Sequence, residues 1–469
     1  MAMGKRKKQR QQELWVPTAD MPQAPGHPFY RRLNALLAEH EFDSFVEGLC
    51  EKFYHEQLGR PSVPPGVYFR MLLIGYFEGI DSERGIAWRS DDSRTLREFL
   101  GYAPTEGTPD HSSLSKIRER IDVETHQEVF AWVLKVVAAN GLLQGKTVGI
   151  DATTLEANAA MRSIVRRDTG DSYGEFLTKL AQASGIATPT RRDLARIDKG
   201  RGKGKASNED WRHPEDPDAK IGQMKDGRTH MAHKAEHAVD LQTGAILAVT
   251  LQGADRGDTT SLWETVKEAG ENLREVTGEP GARGSVPGPI LQEVVADSGY
   301  HSNETCRDLQ EAEVRTYISE PERGRRVWTD RRKGTVKRAE RSAVHGNRRR
   351  IRGVRGKALM RKRGELLERS FAHCYETGGL RRIHLRGHPK ILKRLLVHVA
   401  GCNLSLVMRK VYGVGKPRCL QGGAARAFLH VLLRLFALLT GSDACQAPLS
   451  RSCRFPVDPE RRLASWRRV

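Results

Sequence analysis

Residues 146–155, KTVGIDATTL, decide the fold of this chain. The run is short, β-branched and apolar up to an acid, Asp151, which reads as a buried strand. A second run, PILQEVVADSGY (289–300), repeats the pattern and ends its apolar part at Asp297. Between them, HKAEHAVDLQTGAILAVTLQGAD (233–255) gives two strand-like runs joined at Gln242-Thr243-Gly244, a hairpin signal. TTSLWETVKEAGENLREV (259–276) has helical spacing, as does NETCRDLQEAE (303–313), and VRTYISEP (314–321) reads as one more strand. The order is strand, strand, strand, helix, strand, helix, strand, followed by a long helix. Such an order predicts an α/β fold with an antiparallel hairpin next to parallel strands.

That mixed sheet is what an RNase H-like core requires, and the flanks differ from it. Residues 1–27 are polar and Pro-bearing and read as a basic arm. From 28 to 140 the pattern is helical: FYRRLNALLAEHEFDSFVEGLCEKFY (29–54) and PPGVYFRMLLIGYFEGI (64–80) place apolar residues three and four apart. Pro64 and Pro65 suit a helix start and Gly79 its end. TPDHSSLSKIRERID (108–122) reads as a helix capped by Thr108 or Asp110. Small helices with Arg and Ser at their N-termini serve equally as DNA readers of the helix-turn-helix kind or as packing elements. The α/β region spans 146–410. Within it, residues about 160–230 are polar, rich in Gly, Lys and Arg and poorly periodic, and read as a basic insertion or mobile loop. Residues 411–469 form a helical C-terminal tail; its apolar part, 424–439, contains Arg426, His430 and Arg434 and fits an amphipathic or core helix better than a membrane span.

Charge narrows the partners. The chain carries 78 Lys+Arg against 58 Asp+Glu, a net charge of +20 over 469 residues. A solvated surface does not need that excess, whereas a polyanion such as DNA rewards it through counterion release. The excess concentrates in residues 323–363, where 18 of 41 are Lys or Arg and two are acids. Arg348, Arg349, Arg350 and Arg363 in this segment are candidates for phosphate contacts. The seven cysteines are scattered without a C-x-x-C pair, which argues for reduced thiols, a cytoplasmic setting and no zinc ribbon. The basic N-terminus is not followed by an apolar signal region. The glycines at 200–204 lack a preceding strand and a GK[ST] ending, so no nucleotide cofactor is implied.

Two strand-terminal aspartates in one domain, followed by acids on a helix after a basic segment, suit phosphodiester chemistry. Alone, either aspartate would read as a cap or turn former. In-line displacement at phosphorus builds charge on both the attacking and leaving oxygens, and two divalent ions about 3.5–4 Å apart stabilise both. Mg²⁺, with Mn²⁺ as substitute, prefers carboxylate oxygen.

Here the motifs become specific. GIDATTLEANAA (149–160), the 233–262 segment ending GADRGDTTSL, VVADSGYHS (294–302) and MRKRGELLERSFAHCYETGGLRRIHLRG (360–387) resemble bacterial insertion-sequence transposases of the DDE type. PGVYFRMLLIGYFEGIDSERGIAW (65–88) resembles their InsH-type N-terminal domain. The resemblance implies an RNase H-like catalytic core, two Mg²⁺ ions, and binding of inverted-repeat ends and target DNA. It also implies strand cleavage followed by strand transfer, usually by a homodimer. By resemblance Asp151 and Asp297 are the first two catalytic, metal-binding acids and Glu368 the third. Glu368 matches the glutamate of the family's Tyr-x2-Arg-x3-Glu-x6-Lys signature, with Arg363 near the Arg position. The Tyr position holds Met360 and the Lys position Tyr375, and Glu365, one helical turn from Glu368, is the rival acid. Lys234, in a run similar to the family's, is expected near DNA, and Tyr300 and His301 are expected to touch a flipped or terminal base, or to edge the core. A dedicated endonuclease on this fold, and a non-catalytic DNA-binding descendant, are the competing readings. His230, His233 and His237 could suggest zinc but lack a completing ligand, and read as histidines near phosphate or on a solvated strand. Asp255 and Asp258 fit supporting acids or, for Asp258, the cap of the next helix.

Overall fold

A computed structural model describes residues 26–55, 62–201, 206–224, 227–278, 291–322, 328 and 337–420. Residues 1–25 of the expected arm (1–27), the apolar C-terminal run at 424–439 and much of the basic stretch before Lys337 lie outside these residues. The chain divides into a unit ending at Pro417 and a second beginning at Arg418, of which three residues are described.

Among the described residues seven α-helices come first: α1 (Pro28–Glu39), α2 (Phe42–Cys50), α3 (Pro65–Glu78), α4 (Glu83–Asp92), α5 (Arg94–Leu100), α6 (His111–Arg120) and α7 (Val123–Ala139). The expected signals sit where they were read. Pro65 occupies the first turn of α3, and Gly79 closes it in the left-handed region at φ +71°. Asp110, rather than Thr108, caps α6 by accepting from the Ser113 amide at 2.8 Å. Helix α3 is buried continuously from Gly66 to Phe77, as a helix apolar on all sides must be.

Then follow β1 (Thr147–Glu156), β2 (Val165–Arg166), α8 (Tyr173–Ala183), α9 (Arg191–Gly200), β3 (Trp211–Arg212), β4 (Lys220–Gln223), β5 (Thr229–Asp240), β6 (Ile246–Gly253), α10 (Asp258–Gly278), β7 (Glu293–Ala296), α11 (Asn303–Glu311) and β8 (Arg315–Ile318). The main sheet runs β5–β1–β7–β8, with β4 and β6 sharing the outer edge of β5. β5 is antiparallel to β1, while β7 and β8 are parallel to it. The hairpin between β5 and β6 turns where expected, with Gly244 at φ +82° and Asp240 accepting from the Gln242 amide and the Thr243 hydroxyl. This is the mixed α/β, RNase H-like arrangement read from the sequence. Helix α10 covers one face of the sheet. Helices α12 (Arg338–Arg352) and α13 (Val354–Phe371) follow, and α13 crosses β8, β7, β1 and β5 on the other face. The last long helix, α14 (His388–Tyr412), packs on α3, α7 and β6 and joins the helical region to the sheet. It is long and apolar enough to cross a membrane, yet 89% of its apolar window is buried inside the protein.

The insertion corrects an expectation. Instead of a structureless loop, residues after Glu156 fold into β2, α8, α9, β3 and β4. Trp211, Ile164, Ala157, Ala219 and Met231 form a separate small core, with Tyr173 and Phe176 packed on it. Both helices carry capping boxes, Ser172 with Glu175 and Thr190 with Asp193. Trp211 is 1% exposed and is the largest side chain of this core. Trp211→Ala should therefore cost the lobe about 3–5 kcal/mol. Hydrogen exchange is expected to quicken through residues 160–224 while β1, β5 and β7 keep their protection; uniform loss across the sheet would contradict a separate lobe core.

Candidate active site

Strands β1 and β7 lie side by side and parallel, with Gly149 opposite Val295. Asp151 and Asp297 each come two residues further on, just past the end of the β1–β7 pairing. Asp297 follows the end of β7, whereas β1 runs on beyond Asp151 to Glu156, so the expectation of a strand-terminal acid holds for Asp297 and not for Asp151. The Asp151 side chain is 25% exposed and that of Asp297 44%, so both can be reached by a ligand from solvent. One cation joins them: Arg363 Nη2 of α13 lies 2.9 Å from Asp151 Oδ2 and 3.6 Å from Asp297 Oδ2, while its Nε donates to the Ile150 carbonyl. Burial pushes the Asp151 carboxyl up to about 6, against the pull of Arg363; the nearby charges of Asp297 and Asp258 add to the rise.

A third acid stands close by. Asp258, the first residue of α10, is held by Lys234 Nζ at 2.5 Å. Its other oxygen faces the turn after Asp297: a Cβ on Gly299 would lie 2.4 Å from Asp258 Oδ2 and 3.2 Å from Asp297 Oδ1. No larger side chain fits there without parting these carboxylates. Asp258 was legible as a supporting acid or a helix cap, and its partner Lys234, 24 residues earlier on β5, places it beside the aspartates.

Glu368 and Glu365 also lie on α13. At about 100° per residue, Glu368 sits roughly 140° around the helix from Arg363, and both glutamates are exposed. Glu365 pairs with Arg369 at 2.6 Å; Glu368 has no ion-pair partner among the described residues. No group of three His, Cys, Asp or Glu side chains among the described residues is placed to hold one ion. The donor types at Asp151 and Asp297 nevertheless fit a hard divalent cation, since two carboxylates already converge on one positive group.

Several candidate DNA contacts have interior positions instead. Lys234 is 7% exposed and donates to Asp258, Ser261 and the Arg256 carbonyl. Tyr300 and His301 are each 1% exposed, and the Tyr300 hydroxyl donates to Glu236 at 2.8 Å. Arg348 forms a two-point pair with Glu320, and Arg350 donates to Thr316. Arg363 is buried on the aspartates. Arg349 alone of the named arginines is exposed, in company with Arg341, Arg352, Lys357, Arg361 and Lys362. The reason is that a charge-dense helix still needs one face against the sheet, and period alone did not reveal which arginines it spends there.

The histidines depart from the solvated-strand reading too. His233 and His237 do share a face of β5, but both are fully buried. His237 bonds Ser370 and the Tyr375 hydroxyl, at 3.1 and 2.6 Å, and burial drives its pKa down to about 3. His233 lies 3.4 Å from Asp216 and edge-on to His388. Tyr375, at the signature's Lys position, is thus an interior residue.

Comparison with known families agrees with this architecture. The transposase domain (DUF772) family matches residues 18–120, which include α1 to α6. The transposase DDE domain family matches residues 208–404, which include Asp297 and all of α13 but not Asp151. No curated protein and no solved structure matches the chain significantly. The two family matches follow one another along well over half of the sequence, on a helical region and an RNase H-like sheet, and the chain belongs to the insertion-sequence DDE transposases.

Proposed function

We propose that this transposase cuts DNA at the inverted-repeat ends of its element and joins the freed ends to target DNA. Asp151, Asp297 and Glu368 are the catalytic acids in this reading. The observation that carries it is the meeting of Asp151 and Asp297 on one cation, just beyond the paired part of two neighbouring parallel strands. Glu368 is preferred to Glu365 as the third because Arg369 occupies Glu365. Two Mg²⁺ or Mn²⁺ ions bound by such acids supply positive charge to both oxygens of an in-line displacement.

The chain's own residues do the rest. Exposed Arg341, Arg349, Arg352, Lys357, Arg361 and Lys362 hold the phosphate backbone, a sequence-independent and salt-sensitive attachment. Reading of the element ends falls to the helices α4 to α6. In the first step water oxygen bonds to phosphorus and the 3′-oxygen leaves as a hydroxyl. In the second that 3′-oxygen attacks a target phosphodiester and displaces the target's own 3′-oxygen. The acting form is a homodimer, so that two ends are handled together, and the setting is the bacterial cytoplasm.

The test uses full-length protein, labelled element-end DNA, a target plasmid and Mn²⁺. Cleaved ends together with joined product are expected. Cleavage without joining would leave a dedicated endonuclease, and end binding without cleavage a non-catalytic descendant.

A further inference from the structure

Lys234 and Glu236 are two residues apart on β5 and so project to one face, the face that α10 covers. Glu236 is fully buried. It accepts from Ser261 at 2.9 Å, Thr265 at 2.5 Å and Tyr300 at 2.8 Å. Lys234 stands 3.9 Å from it and donates to Ser261 and Asp258. Ser261 and Thr265 belong to the first two turns of α10, and Tyr300 closes the short turn that Asp297 opens. One buried acid therefore fastens three pieces of chain: the strand beside β1, the start of the helix that bears Asp258, and the turn that bears Asp297.

The need for such a fastening is electrostatic. Asp258 and Asp297 crowd the same glycine from two sides, and Asp151 lies beyond. Like charges so placed push apart unless their backbones are held. Burial raises the Glu236 carboxyl, while its three donors and Lys234 oppose the rise. A buried carboxylate with that many donors is a strong and directional anchor.

We propose that Glu236 and Tyr300 are positioning residues for the metal-binding carboxylates, clamping the Asp297 turn and the Asp258 helix start to β5 so that the acids keep their spacing. The inference rests on the reading of Asp151 and Asp297 as metal ligands. Partners of this kind around metal sites set affinity, commonly by about 10- to 100-fold.

The experiment measures Mn²⁺ alone binding to the full-length chain without DNA, by the paramagnetic signal of free Mn²⁺. Melting temperature, element-end affinity and cleavage against Mn²⁺ concentration are followed in parallel. Tyr300→Phe keeps the buried ring and removes one donor from Glu236; Ser261→Ala removes another from the α10 side and serves if the first variant folds poorly. Each is expected to weaken Mn²⁺ binding by about tenfold, to leave end affinity unchanged, and to regain cleavage as Mn²⁺ is raised. Unchanged Mn²⁺ affinity in both variants, with or without a lower melting temperature, would show the cluster to be packing alone and overturn the proposal. Asp151→Asn run beside them separates the two ideas. If that variant binds Mn²⁺ and cleaves normally, the active-site reading fails first; if it is inactive while Tyr300→Phe and Ser261→Ala are normal, only the clamp fails.

Discussion

Asp151→Asn is expected to lower DNA cleavage by about 10³-fold or more, the scale of losing charge stabilisation worth several kcal/mol in a displacement at phosphorus. Asn keeps the size and one oxygen of the side chain, so β1 and its pairing with β5 and β7 should persist. Element-end affinity should stay within about twofold, because binding by phosphate contacts does not pass through this carboxylate. The position near 6 of the Asp151 carboxyl adds a second signature. Protons compete with Mn²⁺ for the ionised group, so binding in the unaltered chain should decline as pH falls through about 6. The Asn variant should lack that inflection. The sign for stability is opposite. A carboxyl raised above its unfolded value stabilises the fold at low pH, and that contribution is lost as pH rises from the ordinary carboxylate range through about 6. Without metal at pH 8, the Asn variant should consequently melt no lower than the unaltered chain. Normal cleavage by Asp151→Asn would remove the central assignment.

Arg363→Ala should destabilise the metal-free chain by about 3 kcal/mol, because it leaves two acids facing each other without their buried counter-charge. Arg363 is 8% exposed and lies within 3.6 Å of both carboxylates; solvent reaching Asp297 screens part of the loss, which keeps the effect at the low end of the range for a buried pair. A divalent cation can replace the missing positive charge where alanine cannot. Denaturation in chelator and in saturating Mn²⁺ therefore separates the explanations. Most of the lost stability should return with Mn²⁺, and Mn²⁺ should bind the variant more tightly than the unaltered chain, since Arg363 no longer competes for the same oxygens. An equal loss with and without Mn²⁺ would mean that Arg363 acts through packing and not through the acids.

The strands that carry Asp151 and Asp297 were legible because each opens as a short apolar run before an acid, though β1 runs on past Asp151 to Glu156, and the order of the remaining elements followed from period and turn residues. The insertion was legible as an insertion, but its fold was not. Its core gathers Ala157, Ile164, Trp211, Ala219 and Met231 from points scattered over some seventy residues, so no window shows a repeating apolar spacing. The charged residues on β5 misled for a related reason. Lys234 read as a residue near DNA until Asp258 and Ser261 arrive from elsewhere to pair it, and Glu236 carried no signal until Ser261, Thr265 and Tyr300 satisfy it. Resemblance gave Glu368 its role, but the phase of α13 turns Arg363, not Glu368, toward the aspartates.

The insertion leaves the sheet after Glu156 and rejoins it through β4, which pairs with the start of β5. Glu156 at the end of β1 is paired with Ala232 near the start of β5, and the Ala157 amide donates to the Met231 carbonyl. Topologically the lobe is a cassette spliced into what would otherwise be an ordinary hairpin, with its entry and exit already at hydrogen-bonding distance. The register that aligns Asp151 with its neighbours is set by β1 and β5 before the lobe begins, so changes in its outer helices α8 and α9 should disturb the acids least.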